Sequence, residues 1–415
     1  MKYIKKTSLV LMLLLIFLQL PVYADNTEPD IVGKEALVMD VETGEIIYAK
    51  DIDVKTYPAS TTKLITALLL AENKNKTDIL KYTESAKEQP EYSFNTNRKT
   101  MTVGETMTAQ DVMDSILLYS ANDIAYMAAD NVSGSYIDFV TLMNKTVEDW
   151  GLTGTHFTSP NGLHDPDHYT TPYELSVIGR KAFANDWVKE TMAKKESSVT
   201  TSDNRPIALS NSNKLLGVDG CIGGKTGFTD EAGRCLVAFF ERDGRTLVGV
   251  VMNSEWGSDD TIVFEDMEKI INYGYSLDKS SLYEKGTILK TEKISYKPLR
   301  FLGPTKEIEV PIILKDNINY YDNPVNNAEM QEDYDLTDLS VWNLKDNETI
   351  GTITIKQRES SKIYYLTTDI STGSIIKANI PLYIISFIVF LVILIFVLFI
   401  FARIKKAKRK KRRFY

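Results

Sequence analysis

The spacing of hydrophobic and polar residues changes along the chain, and each spacing predicts a different kind of element. Residues 36–51 contain two β-rich runs on either side of Glu42-Thr43-Gly44, which predicts a hairpin. After Pro58 the apolar positions recur with helical spacing, and residues 105–193 hold further helical patterns separated by Gly, Pro, Ser and Asn. Residues 220–253 return to short β-rich runs, which predict a second group of strands.

This order of strands, helices and strands predicts an α+β domain over residues 25–280, with a sheet assembled from both ends of the domain and a helical block between them. Asp243-Gly244 predicts a tight hairpin turn within the later strands, and a last helix is expected over residues 261–277. Gly, Ser and Lys around residues 278–286 indicate a boundary. Beyond it, residues 287–370 show short alternating runs without a helical period, which predicts a small β-rich domain.

Both ends of the chain carry apolar runs beside basic residues. Residues 1–24 contain three lysines, an apolar run and a Val22-Tyr23-Ala24 pattern, which predict a signal peptide cleaved after Ala24. Residues 380–402 are 23 residues without a charge, and at ~1.5 Å per residue such a helix crosses a hydrocarbon core of ~30 Å. Residues 403–415 hold nine Lys or Arg. The positive-inside rule therefore predicts a single-pass protein of the cell membrane, with a cytoplasmic tail and the rest on the extracytoplasmic face.

Charge is distributed unevenly between these regions. The formal net charge of −8 includes three lysines in the first stretch and nine cations in the tail, so the segment between them carries −20. Because so acidic an ectodomain repels a polyanion, we expect no nucleic-acid partner. We interpret the basic tail as a topology signal that contacts lipid headgroups. We also expect the protein to be a monomer.

The first candidate for chemistry is the pair Ser60 and Lys63 at the start of the apolar helix. Residues three apart share a helix face, and a partly desolvated lysine can accept the proton of a weakly nucleophilic serine. The helix N-terminus would also favour a developing oxyanion. Taken alone the S-x-x-K pattern is a weak signal, because it recurs at Ser276 and Ser374 and because such a serine is more often a helix cap.

Two further motifs lie in the predicted helical block and on a predicted strand. Ser120-Ala121-Asn122 provides a hydroxyl that can relay a proton and an amide that can hold a substrate carbonyl. Lys225-Thr226-Gly227 combines a cation, a hydroxyl and a glycine that permits close approach, which suits a peptide with a free carboxylate. Each motif alone is more often an ordinary turn or strand end.

In this order and in these settings, the three motifs match the signature of penicillin-interacting serine enzymes. Longer segments resemble the low-molecular-mass D-alanyl-D-alanine carboxypeptidases, the penicillin-binding proteins of peptidase family S11. These segments are residues 58–72, 103–125, 161–179 and 224–252. The resemblance covers about residues 30–275 and implies the transpeptidase fold shared by β-lactamases and penicillin-binding proteins, an antiparallel sheet with a helical insert. It implies neither a metal nor a cofactor.

Carried over residue by residue, the resemblance implies a catalytic group and a binding group. Ser60 forms the acyl-enzyme, Lys63 is its general base, and Ser120 passes the proton onward. The residues expected to bind substrate are Asn122, Lys225, Thr226, Gly227 and Phe228. Lys225 and Thr226 would bind the terminal carboxylate. The backbone N–H groups of Ser60 and Phe228 would form the oxyanion hole. The implied reaction removes the last D-alanine from a peptidoglycan pentapeptide stem, and β-lactam antibiotics are covalent inhibitors.

The chain departs from the family pattern at two places. Four residues, Cys221 to Gly224, stand between Gly220 and Lys225, where relatives more often have one apolar residue. Val263-Phe264 also lacks the arginine that many relatives carry before this phenylalanine, so no help with carboxylate binding is expected there. Cys221 and Cys235 flank a predicted turn, and they form either a disulfide or two small buried apolar positions.

Three other interpretations remain less favoured. A β-lactamase would share the motifs, but between Asn122 and Lys225 no glutamate has an asparagine four residues on, as class A enzymes do. A non-catalytic protein that senses β-lactams or muropeptides would need an effector domain, and only thirteen residues follow the apolar span. His164 and His168 have metal-like spacing, but Pro166 breaks the helix that would align them, so we expect no metal.

Overall fold

The computed structural model describes residues 27–90, 92–337 and 339–411, and these form two units. One unit contains the residues up to Asp278 together with Asn323–Val325, and the other contains Lys279–Asp322 and the residues from Asn326 onward. The expected signal peptide and the end of the basic tail lie outside the described residues.

The first unit is built on a five-stranded antiparallel sheet. Its strands are β1 (Glu35–Asp40), β2 (Ile46–Lys50), β7 (Cys221–Thr229), β8 (Gly233–Arg242) and β9 (Arg245–Ser254). Their order in the sheet is β2-β1-β9-β8-β7. Because β1 pairs with β9, the prediction of a sheet assembled from both ends of the domain is confirmed. The turn at Asp243 and Gly244 is also confirmed, and both residues have the positive φ that a two-residue hairpin turn requires, 50° and 76°.

The predicted helical block lies between β2 and β7. It begins with a 3₁₀ turn, Ala59–Thr62, that continues into α1 (Lys63–Asn73). The other helices are α2 (Glu84–Lys87), α3 (Phe94–Asn97), α4 (Ala109–Asp114), α5 (Asn122–Ser133), α6 (Tyr136–Asp149), α7 (Pro172–Phe183) and α8 (Asp186–Met192). Two small two-stranded sheets accompany them: β3 (Ile79–Lys81) pairs with β4 (Thr106–Thr108), and β5 (Glu196–Thr200) pairs with β6 (Pro206–Ser210). The expected last helix, α9, spans Ile262–Ser276. Every residue of α1 from Lys63 to Leu70 is buried, as in a helix at the centre of a core.

The second unit contains a separate antiparallel sheet with its own apolar core. Its strand order is β11-β12-β16-β15-β14, and its core includes Val310, Ile312, Ile353 and Leu366. The elements are β10 (Ser280–Tyr283), β11 (Ile288–Tyr296), β12 (Lys306–Leu314), β13 (Ile318–Tyr320), α10 (Pro324–Glu329), β14 (Gln331–Leu336), β15 (Gly351–Gln357), β16 (Ser360–Thr367), α11 (Thr372–Ala378) and α12 (Ile380–Lys411), α10 being divided between the units.

Helix α12 contains the whole uncharged run expected to cross a membrane and continues into the basic tail as far as Lys411. In the described part of the chain it is the one helix that is long and apolar enough for a membrane span. Its apolar side chains, such as Phe387 and Val392, are exposed. One long apolar C-terminal helix of this kind is consistent with a membrane anchor.

The suggestion of a disulfide between Cys221 and Cys235 is wrong. Both cysteines are free and buried, and the β7–β8 register pairs Cys221 with Phe240 and Cys235 with Gly227. Six strand positions therefore separate them, or roughly 20 Å at the usual rise per residue, whereas a disulfide needs Cα atoms within about 7 Å. The alternative of two small buried apolar positions describes them correctly.

Candidate active site

Ser60 lies in the 3₁₀ turn immediately before α1, where the backbone is unusual. Ala59 has a φ of 47°, a left-handed conformation that residues with a Cβ rarely adopt. Strand β7 approaches this turn closely at Gly227, because a Cβ there would lie 2.9 Å from the Ser60 nitrogen and 3.0 Å from the Pro58 oxygen. Only glycine allows the strand to lie so near the backbone of the serine.

Lys63 is fully buried and its Nζ is surrounded by three oxygen atoms. Nζ lies 2.8 Å from the Ser60 Oγ, 2.8 Å from the Asn122 Oδ1 and 2.7 Å from the backbone oxygen of Asn161. Burial lowers the pKa of Lys63 well below its usual value; the charge of Lys225 lowers it further, and Asp123 opposes the shift. In its neutral form the amine would donate its two N–H groups to the carbonyl oxygens of Asn122 and Asn161 and leave its lone pair for the Ser60 hydroxyl. This geometry allows a proton to pass between the Ser60 hydroxyl and the Lys63 amine.

Ser120 ends a π-helical turn, Ser115–Tyr119, with a left-handed φ of 73°. Its Oγ is buried and has no hydrogen-bond partner among the described residues. Asn122, two residues on, begins α5 and is buried with its amide oxygen on Lys63. An unpaired buried hydroxyl costs free energy in a folded protein, so this arrangement suits a group that acquires a partner when substrate binds.

On β7 the side chains of Lys225 and Thr226 have different settings. The Lys225 Nζ is buried and donates to the Thr226 backbone oxygen at 2.8 Å. Burial, and secondarily the charge of Arg234, lowers the pKa of Lys225 to about 7. The Thr226 hydroxyl lies 2.7 Å from the Ser212 Oγ. The threonine therefore presents a hydroxyl to the site, whereas the Lys225 Nζ is buried and bonded to the backbone of the next residue.

A cleft of about 210 Å³ opens between these elements. It is lined by most of the residues that the sequence indicated: Ser60, Ser120, Asn122, Thr226, Gly227 and Phe228. Lys63 and Lys225 are buried behind the lining residues. The structure thus brings all three motifs, which are separated by up to about 165 positions in the sequence, to one cleft.

Arg234 also lines the cleft and was not predicted from the sequence. It lies on β8 directly across from Phe228. Its guanidinium forms a double hydrogen bond with Asp260 and lies 4.2 Å from the ring centre of Trp256. A buried guanidinium held in this way can bind a carboxylate in a fixed orientation. The available signal was a single cation inside the apolar run of residues 232–240.

The residues that hold the loop beside Ser120 were not predicted from the sequence either. Asp123 is buried, and its carboxylate accepts the N–H groups of Phe94 and Asn95 at 2.9 and 3.0 Å and the hydroxyl of Tyr82 at 3.0 Å. Despite these bonds, burial raises the pKa of Asp123. Tyr92, in the same loop, forms part of the cleft wall. Asp123 therefore fixes this wall relative to the start of α5.

The two departures from the family pattern have simple structural outcomes. The residues before Lys225 are accommodated by a β-bulge, in which Cys221 and Gly223 pair with consecutive residues of β8 and Ile222 is extra. Beyond the bulge β7 stays paired through Thr229, so the close approach of Gly227 is preserved. Val263, at the position where many relatives carry arginine, is buried.

His168 is a packing residue. Its Nε2 lies 2.9 Å from the Thr62 hydroxyl, and its Nδ1 accepts the Thr158 N–H at 3.1 Å. Burial lowers the pKa of His168 from 6.5 to about 3. Both ring nitrogens are therefore engaged within the protein, and the ring is neutral at physiological pH.

Comparison with known proteins gives similarities over the same region. Residues 23–255 match the family model for D-alanyl-D-alanine carboxypeptidase. The chain is 24% identical over 330 residues to the D-alanyl-D-alanine carboxypeptidase DacF of Bacillus subtilis, which covers 78% of this chain and 82% of the relative. It is 26% identical over 338 residues to DacC of Escherichia coli, covering 78% and 80%.

Solved structures are similar as well. The Streptomyces K15 DD-transpeptidase has a TM-score of 0.55 at 28% identity, and the match covers 60% of this chain and all of that one. A D-alanyl-D-alanine carboxypeptidase from Mycobacterium tuberculosis has a TM-score of 0.56 at 27% identity, covering 60% and 94%. The expected α+β transpeptidase fold is confirmed.

Proposed function

Since this chain belongs to the D-alanyl-D-alanine carboxypeptidase family, peptidase family S11, we propose that Ser60 is the nucleophile with which it removes the terminal D-alanine from a stem peptide. The protein is a serine hydrolase of cell-wall maturation; its family acts on peptidoglycan peptides and binds β-lactams. The observation that carries the assignment is the 2.8 Å hydrogen bond between the buried Lys63 Nζ and the Ser60 Oγ.

In the acylation step, the lone pair of neutral Lys63 accepts the proton of Ser60, and Oγ attacks the carbonyl carbon of the penultimate D-alanine. The carbonyl oxygen becomes negative and is stabilised by the backbone N–H groups of Ser60 and Phe228. The C–N bond to the last D-alanine then breaks, and the proton held by Lys63 reaches the departing nitrogen through the Ser120 hydroxyl. Free D-alanine leaves, and an ester remains on Ser60.

Deacylation uses the same groups in reverse. A water molecule gives a proton to Lys63 and attacks the ester carbon. The bond to Oγ breaks, Ser60 regains a proton from Lys63, and the shortened stem is released with a new terminal carboxylate. Asn122 holds the amide of the penultimate residue while its Oδ1 keeps Lys63 in place.

We assign the terminal carboxylate of the substrate to Thr226 and Arg234. The hydroxyl of Thr226 faces the cleft, and a guanidinium has five N–H donors, of which the bond to Asp260 uses one edge. The Lys225 Nζ is buried and bonded to the Thr226 oxygen. When protonated, Lys225 therefore attracts the substrate carboxylate through its charge and not through a direct hydrogen bond. The position of Val263 on α9 carries no cation in this chain, and Arg234 on β8 provides one instead.

The test is the release of D-alanine from diacetyl-Lys-D-Ala-D-Ala by the full chain in detergent. Wild type releases D-alanine, and Ser60→Ala does not. Ser276→Ala is the matched control, because Ser276 and Lys279 have the same S-x-x-K spacing without the cleft, and it retains full activity. Release by Ser60→Ala would overturn the assignment of the nucleophile.

We further propose that residues 380–402 of α12 cross the cell membrane once, after removal of residues 1–24, with residues 403–415 in the cytoplasm. The ectodomain then consists of the catalytic domain, residues 25–280, and the β-rich domain, residues 287–370, in a monomer. The absence of charge in this run and the nine cations after it support the orientation. Protection of residues 403–415 from protease added outside intact cells tests it, and cleavage there would refute it.

A further inference from the structure

The hairpin between β11 and β12 exposes its apolar tip. Residues 297–305 connect these strands, and we refer to them as the 297–305 loop. Phe301 is 83% exposed and Leu302 is 72% exposed, more than any other large apolar side chain in the described part of the chain. Two adjacent apolar side chains this exposed are a binding feature or an aggregation hazard unless something covers them.

This exposure is part of an ordered turn. The Arg300 N–H donates to the Lys297 oxygen at 2.8 Å, the Phe301 N–H donates to the Leu299 oxygen at 2.7 Å, and Leu299 and Leu302 form a bridge. Pro298 is buried at the base of the loop. The turn therefore holds Phe301 and Leu302 outward at its tip.

Hydrogen bonds connect the base of the loop to Asn379 and to the first turn of α12. The Tyr383 hydroxyl donates to the Pro298 oxygen at 2.8 Å, and the Asn379 Nδ2 donates to the Tyr296 hydroxyl at 3.0 Å. Lys306, at the other end of the loop, donates to the Asn379 Oδ1 at 2.7 Å. Because the uncharged run begins at Ile380, these bonds place the base of the loop beside the start of that run.

The residues around this base have the composition of a membrane interface. From Tyr296 to Lys306 the chain has three cations, Lys297, Arg300 and Lys306, and no acidic residue, whereas residues 25–402 as a whole carry a net charge of −20. The Tyr296 and Trp342 rings lie 6.3 Å apart, and the Arg300 guanidinium lies 5.5 Å from the Trp342 ring. Aromatic rings, cations and exposed apolar tips occur together where proteins meet lipid headgroups.

We propose that the 297–305 loop inserts Phe301 and Leu302 into the boundary between headgroups and acyl chains, while Lys297 and Arg300 contact anionic headgroups. The partner is the lipid bilayer, and this second contact fixes the orientation of the β-rich domain on the membrane. The inference rests on the proposed membrane span of α12, because that helix sets the depth of the loop.

The experiment places an environment-sensitive fluorophore on a single new thiol in the full chain, reconstituted in vesicles of phosphatidylcholine and phosphatidylglycerol. Cys221 and Cys235 are buried, so labelling is directed to the introduced cysteine, and a wild-type sample gives the background. The labelled variants are Phe301→Cys in the loop, Val392→Cys in α12 and Ile363→Cys as the matched control. Ile363 is 64% exposed in the same sheet, and the strand register places it beyond the end of β12 opposite to Lys306.

Spin-labelled lipids then report which positions contact the bilayer. We expect them to quench the fluorescence at positions 301 and 392 and leave position 363 unchanged, with labels near the headgroup quenching position 301 more than labels deep in the chain. Quenching at 392 without quenching at 301 would overturn the loop proposal and leave the membrane span intact. Absence of quenching at both positions would overturn the membrane span and the loop proposal together.

Discussion

Replacing Gly227 with alanine tests how the strand and the nucleophile turn are fitted together. The added Cβ would lie 2.9 Å from the Ser60 nitrogen, 3.0 Å from the Pro58 oxygen and 3.1 Å from the Ala59 Cβ. Since comfortable contacts begin at roughly 3.5 Å, about 0.5 Å of separation must be created. Two of the atoms are backbone atoms of the turn, so relief comes from moving β7 away from Ser60.

That movement widens the proposed oxyanion hole, because its two N–H groups belong to Ser60 on the turn and Phe228 on the strand. We expect kcat/KM for D-alanine release to fall by about 10²-fold, the usual cost of misplaced catalytic groups. The overpacking should lower the free energy of unfolding by only ~1–3 kcal/mol, so the variant remains folded. Steady-state kinetics and thermal unfolding measure the two effects separately.

Gly223→Ala is the matched control on the same strand. Its Cβ would lie 3.2 Å from the Met192 Cβ, remote from Ser60, so it should retain wild-type kcat/KM even if it loses some stability. Wild-type activity in Gly227→Ala would refute the reasoning, since β7 would then not determine the geometry at the serine.

Three further predictions concern the charges of the first unit. Because burial lowers the pKa of Lys63, the rate of acylation by penicillin should rise with pH and reach its plateau well below pH 10.5. Lys63→Ala should lower that rate at least ~10²-fold. A Lys63→Ala variant that is acylated at the wild-type rate would contradict the proposed role of Lys63 as the base. Arg234→Gln should raise KM for the peptide by ~10–100-fold, because a charged hydrogen bond to the substrate is lost. The control is Arg242→Gln, which should leave KM unchanged, because the Arg242 guanidinium bonds Asn272 at the surface. Equal KM values in the two variants would show that Arg234 does not bind the substrate. His168 has a folded pKa of about 3 against 6.5 unfolded, so the unfolded state binds the extra proton and stability falls as pH drops below 6.5. Its share of that slope approaches ~1.4 kcal/mol per pH unit, and urea unfolding at several pH values should show a shallower slope for His168→Asn.

Much of the site could be predicted because its residues are linked by local geometry. Ser60 and Lys63 share a helix face whatever the rest of the chain does, and the 2.8 Å contact between them follows from that spacing. The assembly of the sheet from both ends of the domain was predictable as well, since β-rich runs stand on either side of the helical block. The turn at Asp243-Gly244 required only local backbone preferences.

What the sequence did not reveal depends on register between strands. Arg234 reaches the cleft because it pairs with Phe228, and Cys235 misses Cys221 because it pairs with Gly227. A shift of one position would turn each of these side chains to the other face of the sheet, and the bulge at Ile222 is such an irregularity. The contact between Lys63 and the Asn161 backbone depends on a loop conformation that side-chain patterns do not encode.

The central claim, that Ser60 is the nucleophile, is tested most directly by intact-mass spectrometry of the full chain in detergent after incubation with penicillin. The account predicts that wild type and Ser276→Ala gain the mass of one penicillin molecule, that Ser60→Ala gains none, and that peptide mapping places the adduct on Ser60. An adduct that persists in Ser60→Ala, or its absence from folded wild-type protein, would contradict the account.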